Sequence, residues 1–218
     1  MSTKKIKQYI NSDRRDFSNQ PFNIDMAHQN PFVQYQKWFE QAVENKILDP
    51  YAACLSTVDN FGKPSSRILY IRDLVEDGFI FYTNFNSNKG SDIETNNCAS
   101  LNVFWGELER QIRIQGVISK VAKSTSDKYF NSRPRASQIG AWSSDQSKEI
   151  NNRKELEDKV SFYEKKFENK IVTRPPHWGG YCLKPSLLEF WQGRSSRLHD
   201  RIVYTKENNK WHKSRLSP

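Results

Sequence analysis

The first regular spacing along the chain falls between residues 31 and 50, where Tyr35, Trp38, Phe39, Ala42, Val43 and Ile47 recur at three- and four-residue steps. Such spacing lays the apolar side chains along one face of a helix. Asn30-Pro31 in front supplies a side-chain cap and a proline suited to the first helical turn, and Asp49-Pro50 marks the stop. Past Pro50 the period shortens. Runs rich in β-formers at 52–58, 67–74, 79–83, 99–105 and 111–121 predict five strands, the last alternating through Ile112 and Ile114 and resuming past Gly116 at Val117. Asp59-Asn60-Phe61-Gly62 and Glu76-Asp77-Gly78 between them carry hairpin-turn chemistry. Strands joined by turns this short predict an antiparallel sheet that curls into a barrel. A doubly wound fold is excluded, because helices do not alternate with the strands and no Gly-x-Gly-x-x-Gly opens a helix.

The remaining pattern sets helices around that sheet. Residues 84–92 form a polar turn leading into a short helical stretch that includes Ile93 and Glu94, and residues 124–133 read as a helix halted before Pro134. Residues 141–147 read as a polar loop. Residues 148–167 read as a charged helix with a modest apolar side of Ile150, Leu156, Val160, Phe162 and Tyr163. After Pro175-Pro176, runs at 178–183, 187–192, 198–204 and 210–215 predict four more strands, with Glu207-Asn208-Asn209 as the last turn. Residues 1–30 are polar and basic without a period, which predicts a mobile N-terminal arm with little structure of its own, ahead of a single domain spanning 31–218. The fold class is mainly β with flanking helices, α+β.

Composition narrows the partners. A chain of 218 residues is long enough to bury a sizeable core. Its net charge of +9 and pI near 9.4 suit nucleic acid, and equally a protein that binds two phosphorylated small molecules. A nucleic-acid-binding barrel would need aromatics interleaved with Lys and Arg along an exposed strand face. Cys54, Cys98 and Cys182 are odd in number and widely spaced among apolar or small residues, which predicts reduced core thiols with neither a disulfide framework nor a metal site. No stretch has the apolar length of a membrane span, and Met1-Ser2-Thr3-Lys4-Lys5-Ile6 lacks the apolar core of a signal peptide, so a cytoplasmic location without a membrane partner is expected.

Candidate chemistry concentrates at residues 188–201. Arg197, His199 and Arg201 lie two apart, so a strand would point all three to one face, where they repel unless an anion lies across them. Phe190, Trp191 and Gly193 add an aromatic surface and a point of close approach, which suits a planar phosphorylated ligand. Alone, such a pattern is also that of a solvated edge strand. Ser87 and Lys89 at the start of a helix make a phosphate site, although an ordinary capped turn has the same sequence. Arg67, and the pair Tyr129 and Arg133 one helical turn apart, could equally be surface groups.

Glu189-Phe190-Trp191-Gln192, four further residues, then Arg197-Leu198-His199-Asp200-Arg201 resembles the C-terminal signature of the pyridoxamine 5'-phosphate oxidases. The resemblance extends from Arg14-Arg15 to the closing Arg215-Leu216-Ser217-Pro218. It implies an FMN-binding split barrel, antiparallel and Greek-key-like, in a homodimer with FMN at the subunit interface. The implied reaction is oxidation of pyridoxamine 5'-phosphate or pyridoxine 5'-phosphate to pyridoxal 5'-phosphate, with O2 as acceptor and H2O2 as product, and with no nucleic-acid partner. The implied FMN ligands are Arg67, Ile68, Leu69, Arg72, Tyr82, Thr83, Asn88, Lys89, Gln111, Gln146, Ser147, Trp191 and Arg201, with Gln146 and Ser147 reaching across from the partner subunit. The implied substrate residues are Arg14 and Phe17 in the arm, Arg72, Tyr129, Arg133 and Ser137 around the phosphate, and Arg197 and His199. The last two are the catalytic pair, orienting the substrate and balancing charge as hydride leaves. Phe17, Arg72 and Asn88 depart from the family's usual Tyr, Lys and Arg. Another flavin-dependent oxidoreductase on the same barrel would keep Lys89 and Gln111 without needing Tyr129, Arg133, Ser137 or Arg197-Leu198-His199, all of which are present.

Overall fold

Cap chemistry and apolar spacing place the first helices. The structure, a computed structural model, describes residues 1–12 and 16–218. Where the sequence has no clear period, Thr3–Ser12 forms helix α1, none of whose residues is buried. Pro31–Glu44 forms α2, whose N-cap Asn30 accepts the Phe32 N–H and whose buried side includes Tyr35, Trp38 and Ala42, as the spacing predicts. Strands β1 (Ala52–Val58) and β2 (Pro64–Tyr70) follow, joined by a turn in which Asp59 Oδ1 accepts the N–H of Phe61 and of Lys63. Gly62 in that turn has φ +80, a left-handed value that glycine adopts without steric cost.

Next come β3 (Asp73–Val75), β4 (Gly78–Asn84), α3 (Asn88–Thr95), β5 (Cys98–Trp105) and β6 (Arg110–Lys120). The single strand expected over 67–74 is thus two, parted where Ile71 turns inward and donates its N–H to Tyr51 O. Helices α4 (Lys123–Ser132), α5 (Arg135–Ser143) and α6 (Arg153–Lys166) precede β7 (Trp178–Gln192), β8 (Asp200–Glu207) and β9 (Lys210–Leu216). Three expectations change here. Helix α5 occupies part of the expected 141–147 loop, α6 starts only after its Asn152 cap, and β7 runs unbroken through Lys184-Pro185-Ser186.

Contacts divide the chain into two units: 1–50, 104–113 and 187–218 make the first, and 51–103 and 114–186 the second. In the second, the hydrogen-bonded strand order is β2-β1-β5-β6-β7-β4-β3. β1 pairs antiparallel with β2 and β5, and β4 with β3 and β7. Leu55, Phe79, Phe81, Leu101, Val103, Ile114 and Leu183 are fully buried there. Removing one such aromatic, Phe81 for instance, should cost about 3–5 kcal/mol through lost burial and the cavity left behind. Phe130, Ile139, Phe167, Val172 and Trp178 form a further apolar cluster that fixes α4 and α5 beside β7. In the first unit β7, β8 and β9 pair in order, and Phe22 packs on Trp38 with ring centroids 4.9 Å apart. The three thiols are free, but only Cys182 is buried: Cys98, opening β5, is exposed, which corrects the expectation of three core cysteines.

Candidate active site

A cavity of about 860 Å³ opens in the second unit between β2, β4, the start of α3 and the α4–α5 turn. Arg67, Ile68, Leu69, Arg72, Tyr82, Thr83, Lys89, Tyr129, Arg133, Ser137 and Gln146 all line it, so residues scattered over 80 positions of sequence meet at one hollow.

Two cationic clusters stand in that lining. One is built on the first turn of α3, where Ser87 caps the helix and accepts the Gly90 N–H. Lys89 Nζ donates to Ser87 Oγ at 3.1 Å and to Gln146 Oε1 at 2.6 Å, and Thr83 Oγ1 donates to the same Gln146 oxygen at 3.2 Å. Burial, and then the nearby positive charge of Arg67, lower the Lys89 ammonium to a pKa of about 8 against an opposing pull from Asp92. Arg67 Nη1 donates to Thr57 Oγ1 at 2.7 Å. Asn88, the first residue of α3, donates its N–H to Ser147 Oγ at 3.3 Å. Gln146 and Ser147 thus meet Thr83, Asn88 and Lys89 of their own chain.

The second cluster follows from Pro134. Proline disfavours helical geometry in the residue before it, and Arg133 accordingly turns out of α4 into extended backbone. Its guanidinium lies 4.6 Å over the Trp178 ring. Arg133 Nη1 is buried and has no hydrogen-bond partner. Burial lowers its pKa, and the charge of Arg72 pushes the same way. Arg72 itself sits 5.0 Å over Tyr51 and 4.7 Å over Tyr70. In the same lining Tyr82 and Tyr129 stack with centroids 3.8 Å apart and planes 9° from parallel. A buried donor left unsatisfied costs about 1–3 kcal/mol, so the orphaned Nη1 of Arg133, with the charge of Arg72 acting on the same guanidinium, describes a site for an anion.

The signature stretch lies in the first unit, and the strand alternation expected for it does not form. Ser195–Arg197 is a short 3-10 turn, Ser196 and Arg197 have φ of 56 and 60, and β8 begins only at Asp200. His199 Nδ1 accepts the Arg194 N–H at 3.1 Å, which leaves Nε2 to carry the proton of a neutral ring. Burial and then Arg197 lower the His199 pKa, while Asp16 opposes them. Phe17 meets Trp191 edge-on at 5.6 Å and His199 at 5.3 Å. A Cβ on Gly193 would come within 2.7 Å of the Phe17 ring, so glycine there is what admits it. Arg201 Nε donates to the buried Glu189 at 2.7 Å, and Arg113 Nη1 donates to its other oxygen at 2.8 Å. Gln111 is half-buried on β6 in this unit. Arg14 lies outside the described residues.

Sequence reading missed Thr57, Ser65 and Asp92 around Arg67, and Glu189, Glu109 and Asp16 around the signature. Glu109 accepts the N–H groups of Ser18 and Asn19, and Asp16 that of Ser196. Apart from Glu189, which opens the signature, none of these carries a local motif. Pairing to residues as distant as 180 positions away is their only mark.

An antiparallel sheet whose one cavity face gathers cations and stacked tyrosines is a ligand-binding split barrel, and comparisons with known proteins agree. PhzG from Burkholderia lata 383, solved in complex with tetrahydrophenazine-1-carboxylic acid, matches with TM-score 0.86 and 28% identity over 92% of this chain and 100% of that one. A pyridoxamine 5'-phosphate oxidase-related, FMN binding protein from Nostoc punctiforme shares the fold, with TM-score 0.68 and 16% identity over 84% of this chain and 97% of that one. Residues 39–165 match the family model described as pyridoxamine 5'-phosphate oxidase, and residues 178–218 the pyridoxine 5'-phosphate oxidase C-terminal dimerisation region. The pyridoxine/pyridoxamine 5'-phosphate oxidase of Cytophaga hutchinsonii is 50% identical over 98% of this chain and 100% of its own length. The chain belongs to the pyridoxine/pyridoxamine 5'-phosphate oxidase family.

Proposed function

We propose that this chain is an FMN-dependent oxidase that converts pyridoxamine 5'-phosphate and pyridoxine 5'-phosphate to pyridoxal 5'-phosphate in the biosynthesis and salvage of vitamin B6. The amine would consume O2 and water and release ammonia and H2O2, and the alcohol would consume O2 and release H2O2. The observation that carries the reading is the unsatisfied Arg133 Nη1 beside Arg72, Tyr129 and Ser137, in the cavity that also holds Lys89 and Arg67. One cavity with two cationic clusters suits two phosphorylated partners.

The donor set fits FMN: Lys89, Arg67 and the N-terminal turn of α3 would hold its phosphate, and Ile68, Leu69, Tyr82, Thr83 and Gln146 its remainder. Bound there, FMN supplies the two-electron chemistry that no side chain offers. Arg72, Tyr129, Arg133 and Ser137 would hold the substrate phosphate and so orient the ring. Arg197 and His199 would align the reacting carbon and balance charge as it is oxidised, with the His199 ring neutral at its Nδ1. Arg14 and Phe17, in an N-terminal segment of residues 1–30 ahead of the domain 31–218, would cover the substrate, Phe17 by its ring alone because it lacks a phenolic hydroxyl. The cavity lining comes wholly from the second unit, whereas Gln111, Trp191, Arg197, His199 and Arg201 belong to the first. A homodimer with FMN at the interface, its contacts including the matched 178–218 region, accounts for both sets. Among the described residues no helix is long and apolar enough to cross a membrane, in keeping with a cytoplasmic enzyme.

The test is an absorbance spectrum of the purified protein, followed by a peroxide assay with each vitamer phosphate. A flavin spectrum and peroxide formed in step with pyridoxal 5'-phosphate are expected. A protein that takes up no FMN, or one that binds it and oxidises neither vitamer, refutes the proposal.

A further inference from the structure

Arg67 is held in a way that its place in the cavity does not by itself require. Its Nη1 donates to Thr57 Oγ1 at 2.7 Å and to Leu55 O at 3.4 Å, and its Nη2 donates to Ser65 Oγ. Asp92 stands behind both hydroxyls: its Oδ2 accepts from Thr57 Oγ1 at 2.6 Å and from Ser65 Oγ at 3.2 Å. The direct approach of Asp92 to Arg67 is long, 3.9 Å. Each hydroxyl has one proton, and an ionised carboxylate can only accept. The Thr57 proton is therefore committed to Asp92, and the Ser65 proton lies between Asp92 and Thr57 Oγ1, 3.3 Å away, which leaves lone pairs of both oxygens for the guanidinium. The carboxylate acts on Arg67 through two oriented hydroxyls more than by contact.

A guanidinium has five N–H donors in a fixed plane. Leu55 O, Thr57 and Ser65 take three of them, all on the two terminal nitrogens. The Nε–H and one Nη2–H remain, and these lie along a single edge of the fork, the edge that grips a phosphate or carboxylate with two parallel bonds. Lys89 is close enough that the Arg67 charge depresses its pKa, so repulsion would turn an unrestrained Arg67 away. Thr57, fully buried on β1, Ser65 on β2 and Asp92 on α3 fix the side chain against that repulsion from three elements.

Resting on the flavin reading above and deepening it, we propose that Thr57, Ser65 and Asp92 are positioning residues that aim the free edge of Arg67 at the flavin phosphate and so set the preference for FMN over flavin lacking a phosphate. None of the three touches the ligand. Asp92 orients the hydroxyls, and the hydroxyls orient the guanidinium.

Titration of the flavin-stripped full chain with FMN and with riboflavin, followed by quenching of flavin fluorescence, tests this. Thr57→Val preserves shape and β-branching while deleting one acceptor, and Asp92→Ala deletes the group that orients both. Each should lower the FMN-to-riboflavin affinity ratio by about tenfold, the worth of one charge-assisted contact, while leaving riboflavin affinity unchanged. Asp92→Asn keeps an oxygen for the hydroxyl protons and should hold the ratio within about threefold of the parent, since orientation survives although charge is lost. Equal weakening of both flavins in Thr57→Val and Asp92→Ala would mean a merely structural role and overturn the inference. A loss in Asp92→Asn as deep as in Asp92→Ala would overturn the relay through the hydroxyls. If the parent prefers FMN and the variants keep that preference, this inference alone falls; if the parent binds neither flavin, the proposed function falls and takes this inference with it.

Discussion

Replacing Arg133 with methionine should make the unliganded protein more stable and the enzyme worse. The side chain places its Nη1 group in a buried position without an acceptor. That orphan costs about 1–3 kcal/mol. Against it stands the cation over Trp178 at 4.6 Å, a contact worth about 0.5–1 kcal/mol where solvent has partial access. Methionine fills much of the same volume without a donor, and it also relieves the repulsion from Arg72. The balance favours the variant by about 1 kcal/mol, which for a chain of this length is a rise of roughly 2–4 °C in Tm. Binding goes the other way. Losing a charge-assisted hydrogen bond to a phosphate costs about 1.5–3 kcal/mol, so KM for either vitamer phosphate should rise roughly 10- to 100-fold. Thermal melts of the flavin-free protein and steady-state kinetics of the flavin-loaded one measure the two effects separately. A lower Tm with an unchanged KM would refute the reasoning, because it would make Arg133 a packing residue and not an anion ligand.

Lys89, lowered by burial and by Arg67 to about 8, binds a phosphate best while protonated, so FMN affinity should fall as pH rises through and beyond about 8 and riboflavin affinity should not; parallel titrations at several pH values check this. The same depressed pKa means that the unfolded chain holds more protons than the folded one between about 8 and the ordinary lysine value, so the Lys89 contribution to flavin-free stability should rise with pH there. Arg72→Lys should keep the enzyme active with a shifted KM, and Arg72→Ala should raise KM strongly, since Arg72, over Tyr51 and Tyr70, lines the cavity; kinetics of Arg72→Ala equal to the parent would remove it from the site. His199→Ala and Arg197→Ala should lower kcat/KM by roughly one to two decades with FMN still bound, as read by steady-state rates at measured flavin content.

The elements written in local chemistry were legible. β1 was bounded correctly by its run of β-formers from Ala52 to Val58, and the start of α2 by its Asn30-Pro31 cap, because both signals lie within a few residues, whereas α2 ends at Glu44, ahead of the expected stop at Asp49-Pro50. α5 was not, because it buries only Ile139 and Ser143 and so shows no apolar stripe. Nor was the turn at the signature: positive φ at Ser196 and Arg197 is imposed by tertiary contacts such as that from Asp16, and neither residue advertises it. The cations lining the cavity could be named from resemblance, but Asp92, the acid behind Arg67, could not. It acts through pairings among β1, β2 and α3, as Glu189 does with Arg201 and Arg113 in the first unit, which only the folded chain brings about.

The stack of Tyr82, Tyr129 and Trp178 makes the cavity its own optical gauge. Trp178 lies parallel to both tyrosines, 4° from Tyr129 and 10° from Tyr82, with Arg133 across its ring. An indole excited state carries a larger dipole than its ground state, so neutralising the overlying guanidinium changes the colour of its emission, and a flavin nearby drains that emission by energy transfer. Among the described residues, Trp178 is the tryptophan that lines this cavity. Occupancy of the hollow can therefore be followed by intrinsic light, without a dye and without turnover.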